Sequence, residues 1–296
     1  MENIPNFLID MLNNQYGQEI LKQIIDGYSK KRLTTFRVNT LKTNVQEIEN
    51  EMNKLNINYE KVSWSKEAFI IKNSNEKEIE QLEIYKEGKI YLQSLSSMLP
   101  PIILEPKENL DILDMAAAPG GKTTQIAAIT KNNAHITACE MNHIRSERLK
   151  YNIEKQGASS VYVMQIDSRQ MNDFFSFDQI LLDAPCSGSG TENIKETNFT
   201  QKLIEKSTKA QYTLLKKAIK MLKKGQEMVY STCSILQCEN EDIVNKILKE
   251  NSCEIVTINV EKMKELPYLP TKIEGTICIM PNELYEGFFV AKIRKK

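Results

Sequence analysis

The amino-acid sequence predicts a doubly wound α/β fold, and two observations support this prediction. From residue 110 onward, short apolar runs alternate with segments whose apolar residues recur at helical spacing, a pattern typical of a parallel sheet covered by helices on both faces. At the start of this region a strand, a glycine turn and a helix start follow one another in Asp111-Ile-Leu-Asp-Met-Ala-Ala-Ala-Pro-Gly-Gly-Lys-Thr-Thr124. Such folds bind ligands at the carboxyl ends of their strands, beside turns of this kind.

The residues before this region predict a smaller unit. Residues 4–27 have apolar positions at helical spacing with a break near Asn13-Asn14, which indicates two helices. A small α+β module follows, with a strand over 34–41, a helix over 45–55 and strands over 57–62 and 68–71. Residues 88–101 join this module to the α/β region.

The α/β region can be divided into elements in chain order. Its predicted helices cover 122–130, 142–156, 201–223 and 239–250. Its predicted strands cover 111–115, 134–140, 160–166, 178–183 and 226–232, with further strands near 253–260, 276–280 and 287–293. The last two strands are separated by a turn and not by a helix, so we expect an antiparallel hairpin at the sheet edge.

Composition limits the classes of protein to consider. With 296 residues, of which 41% are hydrophobic and 26% charged, the chain suits one large or two small globular domains. It has no signal-like start and no apolar stretch near the ~18 residues needed to span a bilayer, so we expect a cytoplasmic protein. Six cysteines without a C-x-x-C pair indicate neither a zinc site nor a disulfide framework. Lys plus Arg equal Asp plus Glu at 39 each, which counts mildly against RNA binding.

The glycine turn discriminates between cofactor classes. A phosphate-binding P-loop would need a glycine where Ala116 stands, and a dinucleotide fingerprint would need a third glycine in register. A nucleoside without a pyrophosphate remains, with an acid at the end of the next strand for the ribose hydroxyls. Glu140 closes that strand. The sequence therefore predicts S-adenosylmethionine as the cofactor.

Two cysteines follow predicted strands at the same sheet edge. Cys186 lies in Asp183-Ala-Pro-Cys186 after the strand over 178–183, and Cys233 follows the strand over 226–232. A cysteine in such a place is often only a small buried hydrophobe. Two thiols beside a methyl donor, however, indicate methylation of a pyrimidine at C5, which a thiolate activates by adding to C6. Asp183 could then bond the N3 and N4 edge of cytosine.

Two further residues are candidates for the cofactor site. Asp167 ends the strand over 160–166 and could accept a hydrogen bond from the adenine amino group, although Asp also caps helices routinely. Arg145 lies five residues after Glu140 and could hold that acid in place, although most such arginines are surface residues.

Several of these motifs resemble those of one family. D-M-A-A-A-P-G-G-K-T, D-A-P-C and S-T-C are similar to the cofactor and cysteine motifs of the RNA cytosine-C5 methyltransferases of the NOL1/NOP2/Sun family. Phe36-Arg-Val-Asn39, Y-L-Q-S-L-S-S-M, Glu239-Asn-Glu241 and Gly287-Phe-Phe-Val-Ala-Lys292 also match. The resemblance covers residues 30–296. It departs at Ile277–Glu283, where the family commonly has an Arg and a His, so one RNA contact is expected to be missing or replaced.

The resemblance has definite implications. It implies a class I S-adenosylmethionine-dependent methyltransferase with a mostly parallel sheet, which forms 5-methylcytosine in rRNA or tRNA. No obligatory protein partner is evident in the sequence, so we expect a monomer. Residues 1–95 would be an RNA-binding N-terminal domain and 96–296 the catalytic domain. Cys233 would be the nucleophile, Cys186 would serve product release, and Arg37 would contact RNA. The implied cofactor contacts are Ala116, Ala117, Ala118, Pro119, Gly120, Gly121, Lys122, Glu140, Arg145, Asp167 and Asp183.

Two other functions remain to be considered. One is a catalytically idle RNA-binding ribosome-assembly factor that keeps the fold, against which both cysteines and Asp183 argue. The other is a methyltransferase for a protein or small molecule, which would not need two thiols at strand ends. If RNA is the substrate of a chain without net charge, its basic residues must be segregated. We expect a basic surface made of Lys30, Lys31, Arg32 and Arg37 with Lys292, Arg294, Lys295 and Lys296.

Overall fold

The computed structural model describes residues 4–195 and 198–296, which form two β-sheets. The smaller sheet has the strand order β2-β3-β1-β4, and all of its pairings are antiparallel. Its strands are β1 (Thr34–Val38), β2 (Tyr59–Val62), β3 (Ser65–Ile71) and β4 (Ile90–Leu92). Helix α2 (Val45–Lys54) packs on it, and the short helices α3 (Glu76–Glu80) and α4 (Glu83–Lys86) precede β4. Phe36, Ile48 and Phe69 belong to its apolar core, so the module has a core of its own.

Helix α1 (Asn6–Ser29) contains the break that the sequence predicts, but at a different residue. Gly17 has a φ of 79°, and the chain is helical on both sides of it. A left-handed conformation of this kind favours glycine, which explains why the kink lies here and not at Asn13-Asn14. Leu8, Leu12 and Ile24 of α1 share an apolar cluster with side chains of the large sheet. The helix therefore packs on the α/β region.

The larger sheet confirms the doubly wound α/β fold. Its order is β11-β12-β13-β9-β8-β5-β6-β7, with β10 paired to β13. The run from β9 to β7 is parallel, and the pairings that involve β10 to β13 are antiparallel. These strands are β5 (Asp111–Asp114), β6 (His135–Cys139), β7 (Val161–Met164), β8 (Phe177–Asp183), β9 (Leu222–Thr232), β10 (Cys253–Val256), β11 (Tyr268–Leu269), β12 (Ile277–Ile279) and β13 (Phe288–Lys295). The predicted antiparallel pair is β12 and β13, but this pair is not at the edge of the sheet, because β11 pairs with the other side of β12.

Within the described residues, five α-helices lie between or beside the strands of this sheet in the sequence, and the sequence predicts four of them. They are α5 (Leu95–Leu104), α6 (Gly121–Ile129), α7 (His143–Gln156), α8 (Gln201–Met221) and α9 (Glu241–Glu250). Helix α5 falls in the segment that we expected to be a linker. No helix within the described ranges 4–195 and 198–296 has the length and apolar character needed to cross a membrane.

Helix α5 forms although it contains two prolines. Pro100 and Pro101 lack the N–H groups that would bond the carbonyls of the preceding turn. The Gln93 side chain replaces one of them, since its Nε2 donates to the Ser97 carbonyl at 3.1 Å. Most side chains of α5 are buried, including Leu95 and Leu104 at 0% exposure. Burial of an apolar helix thus outweighs the lost hydrogen bonds.

Candidate active site

The turn between β5 and α6 is held against the neighbouring strands by its backbone. The Ala117 N–H donates to the Cys139 carbonyl at 2.9 Å, and the Met115 N–H donates to the Leu181 carbonyl at 3.0 Å. Gly120 has a φ of 111°, and a Cβ on it would lie 3.0 Å from Leu149 Cδ1 of α7. A side chain at Gly120 would therefore meet α7.

Two clefts meet at this edge of the sheet. We call the first the acidic cleft: it measures about 310 Å³ and its lining includes Glu140, Arg145, Asp167 and Cys186. We call the second the lysine cleft: it measures about 410 Å³ and its lining includes Tyr91, Asp114, Lys122 and Phe288. Both clefts are lined by Ala116, Ala118, Asp183 and Cys233. Ala117, Pro119 and Gly121 line the lysine cleft, so the turn forms the wall between the two.

Glu140 is buried at the end of β6 and is fixed from two directions. Its Oε1 accepts the Asn142 N–H at 2.8 Å. Arg145 Nη1 lies 3.5 Å from Oε2 of Glu140, and Arg145 Nη2 donates to the Ala118 carbonyl at 2.8 Å. Arg145 therefore links the acid to the glycine turn, which orients the Glu140 carboxylate at the acidic cleft.

Asp167 lines the acidic cleft and also caps the 3₁₀ turn Ser168–Gln170. Its Oδ1 accepts the Arg169 N–H at 3.0 Å, and the Arg169 guanidinium contacts Oδ2 at 2.6 Å. The hydrogen bond from Arg169 lowers the pKa of Asp167. The carboxylate is thus anionic, and both of the roles considered from the sequence are compatible with its position.

Asp183 lies at the junction of the clefts and is held by two donors. Its Oδ1 accepts from Ser231 Oγ at 2.8 Å, and its Oδ2 lies 2.7 Å from Lys122 Nζ. Lys122 Nζ also donates to Ser97 Oγ at 2.7 Å and lies 5.4 Å from the centre of the Phe288 ring. The two charges thus form a fixed pair at the floor of the lysine cleft.

Sequence reasoning missed Asp114, which closes β5. The carboxyl group is 1% exposed and accepts from Thr123 Oγ1 at 2.7 Å. Burial raises its pKa to about 6, the Thr123 hydrogen bond lowers it in part, and the charge of Asp183 raises it. The signal in the sequence that could have identified Asp114 was an acidic residue at the end of a strand. The other missed lining residues lie in or next to segments that resemble the family's, but sequence reasoning gave them no role: Tyr91, Ser94, Ser97, Glu286 and Phe288.

Cys186 and Cys233 face each other at the junction of the clefts. Their sulfur atoms are 3.0 Å apart. The hydrogen bond with Cys233, followed by burial, raises the pKa of Cys186 well above its ordinary value. Cys186 therefore keeps its proton at neutral pH. All six cysteines of the chain are free.

Arg37 does not lie on an RNA-accessible surface, so that expectation is wrong. Its side chain is 3% exposed between β1 and α6. Its Nε donates to Gln93 Oε1 at 3.2 Å, and its Nη2 donates to Thr124 Oγ1, also at 3.2 Å. The guanidinium thus joins the small module to the glycine-turn helix, which is a structural role.

The expected basic surface is also wrong in its C-terminal half. Arg294 pairs with Glu227 at the start of β9, whereas Phe289 pairs with Thr232 at its end. The last residues of β13 therefore lie at the sheet edge opposite the clefts. Lys292 is 7% exposed and contacts Glu105 at 2.8 Å. Of the expected set, only Lys31 and Arg32 line a cavity next to the lysine cleft.

The fold is that of the class I S-adenosylmethionine-dependent methyltransferases. The model of the 16S rRNA methyltransferase RsmB/F family matches residues 101–294, and that of the RsmF/B-like ferredoxin-like domain matches residues 4–76. The chain belongs to the RsmB/F family, within the RNA cytosine-C5 methyltransferases of the NOL1/NOP2/Sun family that its motifs resemble.

Individual relatives agree with this membership. The chain is 35% identical to ribosomal RNA small subunit methyltransferase F of Shewanella amazonensis, over 88% of this chain and 58% of the relative. It is 32% identical to the 28S rRNA (cytosine-C(5))-methyltransferase of Mus musculus, over 98% of this chain and 38% of the relative. The chain spans about three fifths of the length of the first curated relatives it matches, 63% and 62%.

Solved structures give the same result. NSun6 from Pyrococcus horikoshii with SFG superimposes with a TM-score of 0.89 at 25% identity, over 99% of both chains. A methyltransferase homolog protein from Pyrococcus horikoshii superimposes with a TM-score of 0.84 at 31% identity, over 99% of this chain and 100% of that one.

Proposed function

We propose that the protein uses S-adenosylmethionine to form 5-methylcytosine in RNA, through a covalent bond between Cys233 and C6 of the base. The observation that carries this proposal is the pair of thiols, 3.0 Å apart, where the two clefts meet. Relatives named as rRNA methyltransferases favour rRNA over tRNA as the substrate.

The acidic cleft fits the methyl donor. Glu140, buried at the end of β6, is suited to the ribose hydroxyls, and Asp167 at the other side is suited to the adenine amino group. Ala116 and Ala118 line both clefts, so a donor lying along residues 116–122 would present its methyl group near Asp183 and Cys233. The bound donor supplies an electrophilic methyl group. NSun6 from Pyrococcus horikoshii was solved with SFG, an S-adenosylmethionine analogue, which supports this assignment.

The lysine cleft fits the cytosine. Asp183 would accept a hydrogen bond from the N4 amino group, and the Lys122 ammonium would stabilise negative charge that develops on the ring. A base reaches such a cleft only after it leaves its stack, so the substrate would be a single strand, a loop or a remodelled helix.

The chemistry follows from the positions of the two sulfurs. The Cys233 thiolate forms a bond to C6, and C5 becomes nucleophilic enough to take the methyl group. A base then removes the C5 proton, and the bond between the sulfur and C6 breaks to restore the aromatic ring and the thiolate. The second thiol, Cys186, is within reach for the proton transfer.

Cys186 would change its role when Cys233 reacts. Before the addition, the hydrogen bond to Cys233 is the largest cause of the raised pKa of Cys186. Once the Cys233 sulfur is bonded to C6, it no longer shares a proton with Cys186 and that cause disappears. Cys186 then gives its proton to water, its thiolate accepts the proton from C5, and the bond between Cys233 and C6 breaks, so that one proton is released to solvent per turnover.

An RNA path continues from the lysine cleft towards β1. The neighbouring cavity measures about 580 Å³, shares Ser94 and Glu286 with the lysine cleft, and has Lys31 and Arg32 at its far side. Within the part of the chain that the structure describes, Nε and Nη2 of Arg32 are buried without a hydrogen-bond partner, and Nη1 lies 3.7 Å from Glu192. If the guanidinium turned into the cavity, it could donate to phosphate oxygens of the flanking nucleotides. We assign residues 1–95 to RNA binding and 96–296 to catalysis on this basis.

Methyl transfer from labelled S-adenosylmethionine to rRNA that lacks the modification tests the proposal. We expect label in RNA, and 5-methylcytosine after digestion to nucleosides. Transfer to another base atom, or to protein in place of RNA, would overturn it. RNA binding without any methyl transfer would support the idle assembly factor instead.

A further inference from the structure

Glu239 is a buried acid that connects the two cysteine loops. It lies in the 3₁₀ turn Gln237–Glu239 after the Cys233 loop and is 0% exposed. Its Oε1 accepts the Ser187 N–H at 2.7 Å, and its Oε2 accepts from Ser187 Oγ at 2.5 Å. Oε2 also accepts from Ser234 Oγ at 2.6 Å. Ser187 follows Cys186 and Ser234 follows Cys233, so a single carboxylate bonds the neighbours of both thiols.

Glu239 is surrounded by hydrogen-bond donors. Gln211 Nε2 donates to Oε1 at 3.2 Å, so backbone, hydroxyl and amide groups all contact the two oxygens. A buried carboxylate with this many donors is strongly oriented, and it holds the donors in return.

Other contacts around Glu239 strengthen the link. The Tyr230 hydroxyl donates to the Glu239 carbonyl at 2.7 Å, and the Gly190 N–H of the Cys186 loop donates to the Cys233 carbonyl at 3.0 Å. The charge of Glu239 also contributes to the raised pKa of Cys186. The Gly190 contact joins the loops directly, and the Glu239 carboxylate adds a second link between the residues next to the two thiols.

We propose that Glu239 is a positioning residue, whose carboxylate fixes the distance and orientation between the Cys186 and Cys233 sulfurs. It would contact neither substrate nor cofactor, since it lines neither cleft. The effect of this distance on methyl transfer rests on the proposed function. The effect of Glu239 on the distance does not.

Glu239→Gln is the test, and Glu241→Gln is its matched control. The amide keeps the shape but carries no charge and accepts at only one of the two oxygen positions, so the link between the loops is weakened. Glu241 is also buried, at 3% exposure, but its side chain accepts from the Lys272 N–H and from neither cysteine loop. Both variants are made in the intact chain, and thermal unfolding is measured for each.

The first measurement needs no RNA. Diamide takes up the two thiol hydrogens as a Cys186–Cys233 disulfide forms, and mass spectrometry follows the rate. We expect wild type and Glu241→Gln to close at the same rate and Glu239→Gln to close about 100-fold more slowly, the loss that ~1 Å of misplacement causes between positioned groups. Equal rates in Glu239→Gln and wild type would overturn the proposal.

The second measurement is methylation under single-turnover conditions. We expect a lower rate in Glu239→Gln with an unchanged KM for RNA. If Glu239→Gln does not fold, Ser234→Ala is the alternative variant, because it removes one of the hydrogen bonds to Glu239. Ser234→Ala should slow formation of the disulfide by a smaller factor. A rate equal to that of wild type in this variant would count against the proposal. Absence of methylation in wild type would refute only the proposed function, because disulfide closure still measures the link.

Discussion

Replacing each cysteine of the pair by alanine should give two different failures. Cys233→Ala removes the nucleophile, so the ring is never activated and neither methylated RNA nor a covalent adduct should form. Cys186→Ala keeps the nucleophile and the donor site, so the methyl group can still be transferred to C5. Without the second thiol, whose sulfur lies 3.0 Å from that of Cys233, the C5 proton has no nearby acceptor and the adduct should persist.

The expected size of the second effect follows from what a positioned general base contributes. Such a group accelerates proton transfer about 10²–10⁴-fold, which corresponds to about 3–5 kcal/mol of activation free energy. Cys186→Ala should therefore release product about 10²–10⁴-fold more slowly while the methylation step remains fast. Most of the enzyme should then be attached to RNA after one turnover.

A denaturing gel of enzyme mixed with labelled RNA measures this adduct directly. Cys186→Ala should give a slowly migrating band that contains the methyl label, and Cys233→Ala should give none. Cys238→Ala is the control, because Cys238 is partly exposed, like the pair, but lines neither cleft. An adduct that accumulates in Cys233→Ala and not in Cys186→Ala would refute the assignment of roles.

Three further results are expected. Calorimetry should detect binding of S-adenosylmethionine and not of Mg-ATP. Glu140→Gln should weaken the binding of S-adenosylmethionine about 10–100-fold, because a hydrogen bond to a charged group contributes roughly 1.5–3 kcal/mol. Tight Mg-ATP binding would contradict the cofactor assignment. As the pH rises from 3.5 to 7.5, the unfolding free energy of Asp114→Asn should increase by about 3 kcal/mol relative to that of wild type. The reason is that the folded state raises the pKa of Asp114 from 3.8 to about 6, so the protonated carboxyl stabilises the wild-type fold at low pH and this stabilisation is lost as the pH rises through that value. A difference in unfolding free energy that does not change with pH in denaturant titrations would rule this out. RNA affinity should fall as the salt concentration rises. Arg32→Glu should lower the slope of log affinity against log salt concentration by about one phosphate contact, whereas Lys296→Glu should leave that slope unchanged. A slope that changes only with Lys296→Glu would mean that the RNA binds elsewhere.

The sequence was most informative where local pattern and topology agree. The parallel strands are buried apolar runs with clear turns after them, so their ends could be predicted to meet at one sheet edge, as Cys186 and Cys233 do. Helix α5 could not be predicted, because Pro100 and Pro101 argue against a helix and only burial in the tertiary structure overrides them.

Sequence reasoning was least reliable for the charged residues. From the sequence, Arg37 was expected to be a surface residue that contacts RNA. Its side chain is buried because β1 packs against α6. Lys292 was assigned to the wrong sheet edge because the direction of β13 depends on its pairing with β9, which no local pattern specifies. Asp114 was missed because its environment depends on burial beside Asp183.

The two clefts differ in which part of the chain builds them, and this has an evolutionary consequence. The lining of the acidic cleft comes entirely from residues 115–233, whereas Tyr91, Gln93 and Ser94 contribute to the lysine cleft from β4 and the segment after it. Mutations in the small module can therefore alter which nucleotide sequence is accommodated without touching the donor pocket. A lineage could diversify its targets by exchanging that module while inheriting the same reaction, and grafting residues 34–94 between homologues should transfer substrate choice but not donor affinity.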